Sequence, residues 1–270
     1  MDRNCGMSDD ISPVLKIVVG VLLALVVAPL VVPVLMSVSD TPFITFPPQG
    51  FTTEWYGKVL TDPEAQGTFL FSLKLAGVVT LISLILGVPC AAGLVRYDLP
   101  GQGLILGLIL SPLIVPLIVI GVALLQTFSM LGSRATFAQL VIGHTVVCLP
   151  YVIRTVSGSF MLVNRSLEDA ASVMGASPLT VARRVIWPQV RPGICAGGIF
   201  AFIVSFDDYP ISMWLADGRN FPVPLFLHSM IERSFDPSIA AMAALLIFFA
   251  LLLVLVIEKA FGISLARLIS

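Results

Sequence analysis

The sequence predicts an all-α polytopic membrane protein with about six transmembrane helices. Three observations carry this reading. Apolar residues make up 57% of the 270 positions and charged residues 11%, which excludes an ordinary soluble domain. The apolar residues fall into runs of about 20 or more, enough to cross a hydrocarbon core about 30 Å thick. Those runs are continuous rather than alternating, so the spans are helices and not barrel strands.

Met1 to Ser12 is a short polar tail holding Asp2, Asp9 and Asp10. Val14–Val38 is the first span. A cleaved signal peptide is its rival, but the run is long, Pro29 and Pro33 interrupt it, and no clear small-residue cleavage site follows. Ser39–Gly67 is a polar connection rich in Pro, Thr and aromatics, with Phe43, Phe46, Phe51, Trp55 and Tyr56 suited to a membrane interface. Thr68–Val95 is the second span, with Lys74 near its start able to snorkel outward. A turn at Arg96–Gly101 leads to the third span, Gly103–Phe128, interrupted by Pro112 and Pro116. Phe137–Val156 is the fourth, Gly193–Trp214 the fifth and Ile239–Phe261 the sixth, with a polar connection at Leu215–Ser238. Prolines inside spans free carbonyls that neighbours or water must satisfy, as in a bundle lining a path.

The basic residues orient the chain. With a cytoplasmic N-terminus, that side holds Arg3, Lys16, Arg96, Arg154, Arg165, Arg183, Arg184, Arg191, Lys259 and Arg267. The opposite side holds Lys58, Lys74, Arg134, Arg219 and Arg233. This follows the positive-inside rule and predicts both termini to be cytoplasmic. The near-zero net charge gives no case for nucleic acid. Cys5, Cys90, Cys148 and Cys195 are scattered without metal-type spacing, and His144 and His228 stand far apart, so no metal site is expected. No Gly-rich phosphate loop of the Walker type occurs, and no catalytic residues are assigned.

Arg165–Ile194 is a polar, Arg-bearing stretch in a chain that is otherwise mostly hydrocarbon. Good helix formers from Leu167 to Met174, with Glu168 and Asp169 at the start, predict a short helix that stops at Gly175. Thr180–Trp187 predicts a second, ended by Pro188. The result is an exposed helix–turn–helix for a partner to grip. The stretch resembles the EAA loop of bacterial ABC-importer permeases: Asp169-Ala170-Ala171 precede Gly175 by the family's spacing, Ala176 follows, and Val185-Ile186-Trp187-Pro188 closes the motif. Asp169 stands where Glu is usual, Val185 for Ile and Trp187 for Leu.

The resemblance implies a type I ABC-importer permease fold, with residues 1–270 forming a single transmembrane permease domain and an ATPase-coupling loop at about residues 158–193. It implies a multi-pass protein of the bacterial cell inner membrane, in contact with lipid. The partners it implies are two cytoplasmic ATPase subunits, which bind ATP and Mg, a periplasmic or extracellular solute-binding protein, and a small-molecule substrate. This chain has one such loop and a two-fold ATPase pair needs two, so a second homologous permease, forming a heterodimer, is expected.

Ser205-Phe206-Asp207-Asp208-Tyr209-Pro210 is the most unusual stretch within a span. Counted from Gly193 at about 1.5 Å per residue, Asp207 would lie roughly 20 Å across. Carboxylates there are costly unless they face water, a partner or a cationic cargo. On one helix the two would diverge by about 100°, so one would face a path and the other cap or pair. An early helix end at Pro210, with both interfacial, is the alternative. The segment resembles the permeases of spermidine/putrescine importers, in which the matching aspartates and the aromatic corresponding to Trp55 lie along the polyamine route. Ser205 and Tyr209 belong to the same stretch. Leu117 follows Pro116 where those permeases tend to carry an acidic residue, so an amino acid, an opine-like compound or another small solute remains an alternative cargo. An intramembrane enzyme using Asp207 and Asp208, and a membrane assembly protein without cargo, are the competing classes.

Overall fold

The computed structural model describes residues 12–233 and 236–261. The N-terminal tail with Arg3 and Cys5, and the C-terminal residues including Arg267, lie outside the described residues. The helices are α1 (Pro13–Met36), α2 (Glu54–Thr61), α3 (Pro63–Arg96), α4 (Gln102–Leu110), α5 (Leu117–Met130), α6 (Thr136–Met161), α7 (Arg165–Val173), α8 (Pro178–Val181), α9 (Trp187–Phe206), α10 (Ser212–Leu215), α11 (Val223–Arg233) and α12 (Ser238–Phe261). Among the described residues, five helical stretches are long and apolar enough to cross a membrane, or six when α4 and α5 count as one broken span.

The chain divides into two compact units. The first comprises residues 1–61 and 231–253. In it α1 opens with proline at its first turn, where the missing N–H costs no hydrogen bond. The expected polar connection after α1 folds back on itself, with Asp40 N donating to the Gln49 carbonyl and Thr52 N to the Val38 carbonyl. It also contains α2. Ser37 and Tyr56 share a hydroxyl–hydroxyl bond of 2.6 Å, tying the end of α1 to α2. Lys58 on α2 pairs with Asp236 at 3.3 Å.

The second unit comprises residues 62–230 and 254–270. Its centre is the packing of α3, α6 and α9 on one another. Leu75 and Val79 of α3, Leu140, Val152 and Ile153 of α6, and Val190 and Ala201 of α9 are buried in one cluster. Small residues let these helices approach, which matters in lipid because burial from water supplies no driving force there. At Gly193 a Cβ would fall 1.9 Å from Ser159 Oγ and 2.6 Å from Ser159 Cβ, so this α6–α9 crossing requires glycine.

Two expectations about the spans are corrected and one is made specific. The second span begins at Pro63, capped by Asp62 accepting from Glu64 N, rather than at Thr68. The third is interrupted at its prolines, as expected, and its halves meet at 99°. Pro112 opens a 3-10 turn at Ser111–Leu113, and Pro116, with φ −55° and ψ 127°, is extended, so the helix restarts only at Leu117. The fifth does not begin at Gly193. Helix runs unbroken from Pro178 through α8, a π turn at Ala182–Ile186 and α9 to Phe206. Pro188 therefore does not end the second short helix. The π turn absorbs the missing donor, and the Gln189 side chain donates to the Val185 carbonyl at 2.7 Å.

Candidate functional site

Two groups of the singled-out residues come together in the second unit, one at an exposed elbow and one at a break after α9. At the elbow, α7 starts earlier than Glu168. Asn164 is its cap, its side chain accepting from Ser166 N at 3.0 Å, and Asn164 N donates to the Gln189 side chain at 3.2 Å. Glu168 lies in the first turn. Gly175, at φ +82°, stops α7 as expected: Gly175 N donates to the Ser172 carbonyl and Ala176 N to the Ala171 carbonyl, the paired bonds of a Schellman end. Ser177 then caps α8 by accepting from Thr180 N. Helix α7 packs on α8 and the π turn, with Val181 buried and Ala171, Ala176 and Val185 half-buried.

Asp169, Ala170, Trp187 and Pro188 are exposed. So are Val173, Met174 and Leu179, at 88%, 82% and 78%, which is apolar surface no isolated polar loop would carry.

Glu168 and Asp169 are adjacent but differently engaged. Both oxygens of Glu168 accept from Arg96 at the end of α3, at 2.7 and 2.9 Å, in a bidentate fork. That guanidinium also stands 5.6 Å from the centre of the Phe160 ring of α6. Hydrogen bonding to Arg96 holds the Glu168 carboxyl below the ordinary carboxylate range. The elbow is thus fastened to the ends of α3 and α6 by one arginine, which sequence reasoning had counted only as a basic residue. A cleft lined by Arg96, Tyr97, Arg165, Glu168 and Asp169 flanks the pair.

At the break, the two aspartates are not successive positions on one helix, so the expected divergence of about 100° does not apply. Helix α9 ends at Phe206, and Asp207 is its cap, with φ −102°, ψ 10° and its N–H bonded to the Ile203 carbonyl. Asp208 is buried and accepts through Oδ1 from Ile211 N at 2.8 Å and Ser212 N at 3.4 Å. Its side chain offers those amides an alternative to continued helix, and Pro210 has no N–H to extend the ladder. Asp207 is exposed. Asp208 therefore caps, one of the roles expected of the pair, and Asp207 is exposed; the helix ends at Phe206, before either aspartate, so a break rather than helical geometry divides them.

Ser205, at the end of α9, is buried and bonds His144 Nδ1 at 3.0 Å; Ser212 bonds His144 Nε2 at 3.1 Å. Tyr209 lies against the His228 ring, with centroids 5.1 Å apart. Phe206 meets Phe69 edge-on at 5.9 Å and stacks on Phe202 at 5.9 Å. His144 was missed as part of this group. The available signal was that an imidazole inside an apolar span needs hydrogen-bond partners, but nothing local names partners 61 and 68 residues away. Trp55 belongs to the first unit, where its Nε1 donates to the Ser39 carbonyl at 2.8 Å and Lys58 stands 5.4 Å from its ring centre.

Comparison with known proteins agrees with this architecture. Residues 83–267 match the family described as binding-protein-dependent transport system inner membrane component. The chain is 30% identical over 207 residues to the spermidine/putrescine transport system permease protein PotC of Escherichia coli, covering 77% of this chain and 78% of the relative. It is 30% identical over 227 residues to the putrescine transport system permease protein PotI of Escherichia coli, covering 82% and 80%. With the molybdenum transport system permease protein ModB of Mycobacterium bovis it shares 32% over 215 residues, covering 73% and 80%. Among solved structures, a bacterial ABC transporter involved in the import of the acidic polysaccharide alginate shares the fold, with TM-score 0.67 at 17% identity over 92% of this chain and 94% of that one. The chain belongs to the family of binding-protein-dependent transport system inner membrane components and is the membrane-spanning permease subunit of an ABC importer.

Proposed function

We propose that the cargo is a small cationic amine of polyamine type, delivered by a solute-binding protein and released into the cytoplasm past the break after α9. The observation that carries this is the open carboxylate of Asp207 at a helix break, in a stretch that also holds Phe206 and Tyr209. A carboxylate at such a break favours an ammonium group electrostatically. The names of the PotC and PotI relatives support the same chemistry. Trp55, in the first unit, is assigned to the cargo route on the resemblance to polyamine permeases alone. An amino acid, an opine or another small solute is the second reading, favoured by Leu117 at the start of α5, where polyamine permeases tend to carry an acid.

The elbow is assigned to coupling. Asp169, Ala170, Gly175, Trp187 and the exposed apolar side chains between them form the surface that two ATPase subunits grip, one on this chain and one on a second, homologous permease. ATP and Mg act in those subunits. Closure of the ATPase pair would move the elbow as a rigid element and rock the bundle between outward- and inward-facing states. The basic residues flanking the elbow set it, with both termini, on the cytoplasmic side, and the whole chain works as one permease domain.

The test is uptake of labelled putrescine by the complete transporter in proteoliposomes, with its binding protein and ATP inside. Asp207→Asn keeps size and hydrogen bonding but removes the charge. It should lower uptake by about tenfold while the ATPase subunits still co-purify. Normal uptake in Asp207→Asn would overturn the cationic-cargo reading. A reporter active only outside the cytoplasm should fail when fused at Gly175 and work at Gly50 or Arg219; activity at Gly175 would overturn the orientation.

A further inference from the structure

We propose that His144 is a positioning residue for transport: by bridging the break between α9 and α10 it fixes where the Asp207 carboxylate stands. The proposal rests on the reading that Asp207 meets the cargo.

The geometry is specific. His144 lies within α6 and is fully buried. Its two ring nitrogens bond serines on opposite sides of the non-helical segment, Ser205 in the last turn of α9 and Ser212 at the first residue of α10. The preceding residue, Gly143, has no side chain, and a Cβ there would meet Ile211 Cγ2 and Leu215 Cδ1, each at 2.8 Å. Glycine thus lets the segment press onto α6 exactly beside the imidazole that ties down both its ends. Asp208, bonded to the Ile211 and Ser212 amides, closes the segment from within. Among the described residues, Asp207 itself has only a backbone bond, to Ile203.

The consequence follows from how such a segment moves. Without an external tie, a stretch lacking helical bonds shifts at low cost, and a displacement of about 1 Å at a binding group can cost as much as 100-fold in rate. An imidazole bonded on both sides removes that freedom. It touches no open route itself, so its effect on cargo must pass through the segment.

The experiment uses the assembled transporter in proteoliposomes and measures two quantities together: putrescine imported and ATP hydrolysed. His144→Leu keeps bulk but loses both bonds. It should lower the amine imported per ATP by about tenfold. His144→Gln, whose amide donates and accepts, should recover most of that ratio. If His144→Leu does not assemble, Ser212→Ala removes one tie and should lower the ratio in the same direction by about threefold.

A role confined to folding would reduce import and hydrolysis by the same factor and leave the ratio unchanged, and that result overturns the proposal. Asp207→Asn is measured in parallel. If it lowers the ratio while His144→Leu and Ser212→Ala do not, the positioning role falls and the cargo reading stands. If Asp207→Asn lowers uptake at the parent ratio, the cargo reading stands and the positioning role falls; if its uptake is normal, both fall, whatever the histidine variants do.

Discussion

The elbow around α7 and α8 and the break between α9 and α10 are both interruptions of helix, and they are held in opposite ways. The elbow is exposed and stapled mainly by its own neighbours: Asn164 to Ser166, Gly175 to Ser172, Ala176 to Ala171, Ser177 to Thr180. A charged tie to the rest of the unit, Arg96 to Glu168, is part-buried. The break is held by buried polar groups that each satisfy two partners: Asp208 from within, bonding amides three and four residues on, and His144 from 61 and 68 residues away. An exposed elbow can be built from local rules because water completes whatever the chain leaves unbonded. Buried groups at a break among packed helices have no such recourse, so each must find a protein partner.

The two regions should therefore fail differently. The largest effect is expected at the break. Asp208→Ala removes the acceptor for two buried amides and should destabilise the folded permease by about 1–3 kcal/mol, read as thermal unfolding in detergent. Asp208→Asn keeps a carbonyl oxygen and should cost distinctly less. Equal losses for Ala and Asn would mean that charge, not capping, is what Asp208 supplies.

At the elbow, Gly175→Val imposes a left-handed conformation on a β-branched residue, at about 1–2 kcal/mol. No heavy atom lies within 4 Å of where its Cβ would sit, so the cost is purely one of backbone. Because the elbow stands clear of the core, permease unfolding should hardly change, while ATPase co-purification and uptake should fall. A variant that unfolds early but still binds its ATPase would reverse the comparison.

Asn164→Ala should cost about 1 kcal/mol by removing a helix cap, with Asn164→Asp close to the parent. Its effect should appear as faster hydrogen exchange in α7 alone. Exchange that spreads into α3 or α9 would show the elbow to be less independent than its local bonding implies.

The smallest effect concerns the Arg96–Glu168 fork, worth about 1 kcal/mol or less for a pair this close to solvent. Glu168 has a lowered pKa in the folded state, so it contributes stability that is fully present above its ordinary carboxylate pKa and is lost as pH falls through the folded value. The stability difference between the parent and Arg96→Ala should thus be constant near neutral pH and shrink in acid. Exchanging the two, Arg96→Glu with Glu168→Arg, should restore part of the coupling lost in either single variant. A difference that grows in acid would reject the ion pair as its source.

What could be read from the sequence divides along the same line. The spans were legible because continuous apolar runs have few alternatives in lipid, and the elbow was legible because capping, a left-handed glycine and basic flanks act within a few residues. One local reading still failed: Pro188 looked like a helix end, yet a π turn and the Gln189 side chain carry the helix past it. Pro112 and Pro116 do interrupt the third span, but the bend of 99° could not be read from them. In both cases proline removes a donor, but what satisfies the freed carbonyl is decided by the surroundings.

By itself the sequence determined the class of protein, the order of its spans and the place of the exposed elbow. Only the tertiary structure decided which aspartate is open, that Arg96 fastens the elbow, and that His144 joins the two sides of the break. Those ties link residues 61 to 72 positions apart, and hydrogen bonds and ion pairs across such separations depend on which helix faces meet. No periodicity or spacing within a single segment carries that information.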